Sequence, residues 1–159
     1  MKIILDAMGG DNAPLEMLKG VIDAKAELGG DYLLVGHKTQ LETLAKENGL
    51  DISGFEILHA ETVITMEDDP LCVVRGKQDS SMSVGLRMLA EGHGDAFVST
   101  GNTGALFTGA TLIVRKAKGV LRAGIGAIVP MQVPVLLLDT GANIAVTEEN
   151  LEQFAVMGS

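Results

Sequence analysis

Residues 1–35 read MKIILDAMGGDNAPLEMLKGVIDAKAELGGDYLLV, and this stretch decides the fold. Ile3-Ile4-Leu5 is an apolar run that ends at Asp6, too short for a helix and suited to a buried strand. Met8-Gly9-Gly10-Asp11-Asn12 is a loop, and Pro14 opens a helix, because the N–H that proline lacks has no partner in a first helical turn. Leu15, Leu18 and Ile22 fall on one face of that helix, and Gly29-Gly30 ends it. Tyr32 to Val35 is the next apolar run. Parallel strands need a crossover between them, so strand, helix and strand in this order predict a parallel sheet with helices packed on it.

The pattern continues outward. Thr39–Glu47 reads as a helix stopped by Asn48-Gly49, Phe55–Leu58 as a strand, and Glu67-Asp68-Asp69-Pro70 as an exposed acidic turn. Ser80 or Ser81 caps a helix carrying Val84, Met88 and Leu89, which stops at Gly92. Ala96–Val98 is a buried strand running into a glycine-rich loop, and the helix after it is expected to reach about Ala117. Ile125–Val129 and Val135–Leu138 are two further strands, and Thr147 caps a last helix that places Leu151, Phe154 and Ala155 on one face. The expectation is one α/β domain over 1–159, a layered fold with a largely parallel sheet. The last helix has nothing after it to cover its apolar side, so the chain is expected to be part of a longer one.

Composition narrows the function. A chain of 159 residues that is 47% hydrophobic and 21% charged is that of a folded protein rather than a disordered one. Its net charge of −9 opposes nucleic-acid backbones and anionic lipid heads. Cys72 is the sole cysteine, so there is no intrachain disulfide, which fits a cytoplasmic setting, and Cys72 itself reads as a packed residue. Ala96–Val114 and Ala123–Leu138 lack charges but carry too many polar, glycine and proline residues to span a membrane. His37, His59 and His93 have no metal-ligand spacing, and neither a metal nor an organic cofactor is expected.

Ligands of parallel α/β sheets bind outside the carboxyl ends of the strands. Three polar, glycine-rich loops fall there: Asp6-Ala-Met-Gly9-Gly10-Asp11, Ser99-Thr-Gly101-Asn102-Thr103-Gly104, and Asp139-Thr-Gly-Ala-Asn143. Each alone is also an ordinary capped turn; three at three strand ends point to a site in which glycines let the backbone approach an anion. No Gly-Lys-Ser/Thr triplet is present, so this is not a P-loop, and Gly124-Ile-Gly126 lacks the third glycine of a dinucleotide fingerprint. Arg75 and Lys77 are placed to reach an anion in the cleft. Arg115, Lys116, Lys118 and Arg122 gather four of the 12 cations within eight residues, either as a solvated helix end or as a docking patch for an acidic partner.

In order and spacing these motifs, together with Ser80-Ser81-Met82 and Met157-Gly158-Ser159, resemble the PlsX family of acyl-ACP:phosphate acyltransferases over all 159 residues. The sequence departs from the family pattern at Thr100 and at Arg122-Ala123. The resemblance implies a three-layer α/β/α, isopropylmalate dehydrogenase-like, phosphotransacetylase-like fold with a largely parallel sheet, and a chain about twice this length, of which this is the N-terminal half. It further implies a homodimer, soluble or loosely membrane-associated, that transfers a fatty acyl group from acyl carrier protein to inorganic phosphate early in phospholipid synthesis.

Phosphate is itself the nucleophile of that reaction, so no Ser-His or Cys-His pair is required. The residues expected to act are Asn102 and Lys77 on the reacting phosphate, with Ser99, Gly101, Thr103, Gly104, Gly9, Gly10, Asp11, Asp139 and Asn143 around it. Asp6 would help to organise these loops, and Arg115, Lys116, Lys118 and Arg122 would receive the carrier protein. The half alone is expected to be inactive. Two other readings stay open: a phosphotransacetylase-like enzyme using acyl-CoA, and a non-catalytic α/β module that binds an anion or a partner.

Overall fold

Strand β1 (Lys2–Asp6) is followed by helix α1 (Leu15–Leu28), strand β2 (Asp31–Gly36), helix α2 (Lys38–Glu47) and strand β3 (Glu56–His59). A 3₁₀ turn at Pro70–Val73 leads to helix α3 (Ser81–Ala90), strand β4 (Ala96–Val98) and helix α4 (Thr103–Gly109), which continues as a π turn over Ala110–Val114. These assignments come from a computed structural model that describes all residues 1–159. The chain divides into two units, Met1–Val114 and Arg115–Ser159.

In the first unit the four strands form one parallel sheet in the order β3-β2-β1-β4, with Ile3 opposite Tyr32 on one side and Ala96 on the other. Successive side chains of a strand point to opposite faces. Leu5, Tyr32 and Leu34 therefore pack with Leu18 and Val21 of α1 and Leu41 and Ala45 of α2. Ile4, Leu33 and Val35 face the other way, against Val84, Met88 and Leu89 of α3. Both faces of the sheet are covered, which makes three layers. It is also why the strands read as continuous apolar runs rather than as an alternation.

Ile4, Leu33, Leu34 and Val35 are fully buried, and burying each such side chain stabilises the fold by about 1.5–3 kcal/mol. The inward stripe of α1 is Leu18 and Val21, while Leu15 and Ile22 are only half-buried. Helix α3 is apolar on a second side as well: Met82 and Leu86 meet Val73 and Ala105, so it lies between the sheet and α4. Ser80 is its N-cap, accepting from the Ser83 N–H at 3.3 Å. The helix after Gly104 stops at Val114 instead of about Ala117, because Arg115 takes φ 74, outside helical space.

The second unit holds β5 (Gly126–Val129) and β6 (Val135–Leu138), an antiparallel pair with Ile128 opposite Leu136, and helix α5 (Glu148–Gly158). Thr147 caps α5 in a reciprocal box with Asn150. Of the expected apolar face only Phe154 is buried; Leu151 and Ala155 are exposed. No helix of the chain is long and apolar enough to cross a membrane.

Candidate functional site

Strands β1 and β4 are neighbours, yet the helices that follow them leave on opposite faces: α1 packs with Leu5 and Leu34, α4 with α3. A gap opens between two such helices at the carboxyl ends of the strands, the position where open α/β sheets hold ligands. The loops Asp6–Asp11 and Ser99–Gly104 flank this gap.

The two loops are bonded to each other. The Ser99 hydroxyl donates to Asp6 Oδ2 at 2.8 Å and accepts from the Gly101 N–H at 3.1 Å. The Thr100 hydroxyl donates to the Gly9 carbonyl at 2.9 Å, and the Met8 N–H donates to Asp6 Oδ1 at 3.2 Å. Asp6 is 1% exposed, so its carboxylate is a buried anchor and not a surface charge. The glycines serve this contact. A Cβ on Gly9 would lie 2.6 Å from Asp6 Oδ2 and 2.9 Å from Ser99 Oγ, and one on Gly101 would lie 3.3 Å from the Gly9 Cα. Here the backbone approaches the Asp6 and Ser99 side chains at Gly9 and the Gly9 backbone at Gly101, a use of glycine that the sequence leaves indistinguishable from approach to a ligand.

Asn102 and Lys77 are both engaged. Asn102 Oδ1 accepts from the Ala105 N–H at 3.0 Å, capping α4, while Nδ2 donates to the carbonyls of Thr65 and Asp68, each at 3.1 Å. Its side chain thus pins the segment 65–68 to the start of α4. Lys77 Nζ donates to the Val63 carbonyl at 2.9 Å and pairs with Asp68 Oδ2 at 2.6 Å. The ammonium beside it, and next the Thr65 N–H, hold the Asp68 carboxyl below the usual carboxylate range. Thr103 is exposed and Gly104 half-buried, with Pro70 over it.

A cavity of about 230 Å³ opens beside these groups, lined by Met8, Gly10, Asp11, Gly101 and the segment Val63–Glu67. Asp11 and Glu67 stand at it and no Lys or Arg lines it. Nothing in the sequence marks Val63–Met66, and Glu67 and Asp68 read only as an acidic turn. No spacing rule links Asp68 to Lys77 or Asn102 to Thr65; those partners follow from tertiary folding.

Asp139 and Asn143 belong to the second unit and are bonded to one another. Burial pushes the Asp139 carboxyl up, but donation from the Ile125 N–H, the Asn143 amide group, the Asn143 N–H and the Ala142 N–H outweighs this and holds it below the usual range. The Asn143 amide also donates to the Ala123 carbonyl at 2.8 Å. Arg122 Nη1 reaches Asn143 Oδ1 at 3.3 Å, Lys116 donates to the Leu121 carbonyl, and Arg115 and Lys118 are exposed.

The family described as "Fatty acid synthesis protein" matches residues 1–159. A phosphate acyltransferase of Acetivibrio thermocellus is 45% identical over 161 residues, covering 100% of this chain and 48% of the relative. One of Thermotoga neapolitana is 46% identical, covering 99% of this chain and 46% of the relative. The chain thus spans about half the length of the curated relatives it matches. The EutD phosphotransacetylase from Staphylococcus aureus superposes with a TM-score of 0.70 at 21% identity, over 98% of this chain and 51% of that one, which bears out the phosphotransacetylase-like fold. With that match along its whole length, the chain belongs to the fatty acid synthesis protein family, whose curated members are named phosphate acyltransferase.

Proposed function

We propose that this chain provides the N-terminal half of a phosphate acyltransferase, which moves a fatty acyl group from acyl carrier protein to inorganic phosphate and yields an acyl phosphate. The observation that carries the reading is the end-to-end similarity to phosphate acyltransferases. The bonded loops at the β1–β4 gap are compatible with it: phosphate is itself the nucleophile, so no nucleophile–base pair is needed there.

In this reading phosphate sits at Gly101–Gly104, with Thr103 as a donor and Gly9, Gly10 and Asp11 forming the opposite wall. Lys77 supplies the counter-charge by exchanging Asp68 for phosphate, and Asn102 positions the loop. Catalysis rests on orienting phosphate against the thioester carbonyl and on stabilising the oxyanion that develops there. Arg115, Lys116, Lys118 and Arg122 receive the acidic carrier protein, Asp139 and Asn143 order the loop after β6, and the working form is a cytoplasmic homodimer.

The test joins the chain to the second half of the Acetivibrio thermocellus enzyme and follows release of the carrier thiol from palmitoyl-carrier protein, with and without phosphate. Phosphate-dependent release that falls at least tenfold in Asn102→Ala is expected. Release from palmitoyl-CoA and none from the carrier protein moves the assignment to a phosphotransacetylase-like enzyme. No release from either thioester removes the enzyme reading.

A further inference from the structure

The cavity beside the two glycine-rich loops of the first unit has hydrogen-bond donors to spare and the wrong charge for an anion. The segment Val63–Glu67 lines it together with Gly10, Asp11 and Gly101. Four carbonyls of Val63–Asp68 are taken. Lys77 Nζ donates to that of Val63 at 2.9 Å, and Asn102 Nδ2 to those of Thr65, Met66 and Asp68 at 3.1, 3.4 and 3.1 Å. The Asp68 N–H closes a turn on the Thr65 carbonyl at 3.3 Å, and the Thr65 N–H donates to Asp68 Oδ2 at 2.6 Å. Met66 and Glu67, the middle of that turn, have N–H groups with no acceptor in the chain, and so have Gly10 and Asp11. The segment thus spends its acceptors on Asn102 and Lys77 and keeps its donors free.

Charge selects the ligand. Asp11 and Glu67 line the cavity without a Lys or Arg, and the nearby Lys77 ammonium is paired with Asp68 at 2.6 Å. Such a wall opposes phosphate and the acidic surface of a carrier protein. It suits a neutral chain of amides, whose carbonyls accept from the free N–H groups and whose N–H groups donate to the carboxylates. Met8, Val63 and Ile64 offer apolar wall to the methylenes between those amides. We propose, resting on the acyl-transfer reading above, that this cavity holds pantetheine, the arm on which carrier protein and CoA alike present an acyl thioester. Gly101 belongs both to this cavity and to the segment assigned to phosphate, so the sulfur end of an arm lying here meets phosphate at Gly101. The volume of about 230 Å³ equals the share of about eight water molecules, room for the amide nearest the sulfur and not for the whole arm.

Amide NMR tests the placement without turnover, in the 159-residue chain and in the chain joined to the second half of the Acetivibrio thermocellus relative. Millimolar pantetheine is expected to shift the signals of Gly10, Asp11, Met66 and Glu67, and inorganic phosphate those of Thr103 and Gly104. Met66→Pro removes one free donor at the second position of the Thr65–Asp68 turn, which proline favours. In the joined protein it should lower kcat/KM for octanoyl-pantetheine about fivefold relative to S-ethyl octanethioate, which carries no arm. Octanoyl-CoA against octanoyl-carrier protein in the same assay tells which molecule presents the arm.

Pantetheine shifts that fall on other residues, or no shifts in either protein, overturn the proposal. So do phosphate shifts at Met66 and Glu67, which would assign the cavity to the anion, and an equal loss on both thioesters in Met66→Pro. Phosphate-dependent thiol release with these amides unmoved by pantetheine would overturn the placement of the arm and leave the reaction standing. Pantetheine shifts at these amides in a joined protein that releases no thiol would keep the placement and remove the reaction.

Discussion

Ser99 and Asp6 stand 93 residues apart in sequence and 2.8 Å apart in space, and their hydrogen bond joins the ends of two adjacent strands. It is the shortest route between the two glycine-rich loops, and its acceptor is a carboxylate sealed from water. Ser99→Ala leaves that carboxylate one donor short. Hydrogen bonds to charged groups contribute about 1.5–3 kcal/mol, and a loss in this range is expected from the urea midpoint at unchanged slope. Thr100→Ala removes a neutral bond to the Gly9 carbonyl and should cost only about 1 kcal/mol.

Gly9→Ala should be worse than either. The new methyl would meet Asp6 Oδ2 at 2.6 Å and Ser99 Oγ at 2.9 Å, and neither atom belongs to a flexible chain end. Forcing one methyl into such a contact costs about 1–3 kcal/mol. The same denaturation series measures it, and a wild-type midpoint would mean that the loops are not in contact.

Asn102 caps a helix and ties down a second segment, so two readouts should move in Asn102→Ala. Loss of an N-cap costs about 1 kcal/mol. Amide exchange at Thr65–Asp68 should also quicken, since the carbonyls of Thr65, Met66 and Asp68 lose their donor. Asn102→Ser keeps a capping acceptor without the amide donor, and should recover stability without slowing that exchange.

Acid should loosen the loop after β6 through Asp139. Its folded-state pKa lies below that of an unfolded aspartate, so the folded state binds fewer protons and stability rises with pH across that interval. The contribution is complete above the unfolded value of about 4 and is lost as pH falls through the lower folded value. Asp139→Asn should flatten this part of the stability–pH curve, and a curve parallel to wild type would refute the assignment.

The competition for Lys77 gives a kinetic prediction. In the joined enzyme Lys77→Met should raise the phosphate KM severalfold, and Asp68→Asn, which frees the ammonium, should lower it. Equal phosphate KM in all three proteins would remove Lys77 from the site.

Most of the sheet is readable from the sequence because its strands are buried on both faces and its helices carry their own stops. Asn48-Gly49 ends α2 and Ser80 opens α3, and both signals are local. The end of α4 is not legible, since nothing in Ala110–Ala117 announces that Arg115 will leave helical space. In the α1 stripe Val21 is inside where the spacing predicts Ile22, a shift of one position set by where the sheet lies. The candidate site is legible as loop chemistry and illegible as geometry. Asn102, Lys77 and Ser99 stand out in the sequence, but their partners Thr65, Asp68 and Asp6 depend on which strands become neighbours.

That neighbour relation also sets when the gap can exist. Strand β1 is made first and pairs with β2 within its first 36 residues, whereas its other edge waits for Ala96–Val98. A nascent chain therefore exposes Ile3-Ile4-Leu5 as an open, apolar template until β4 emerges, which makes this interval its most aggregation-prone. Chains cut before Ala96 should collect in inclusion bodies, and those reaching Val114 should escape them.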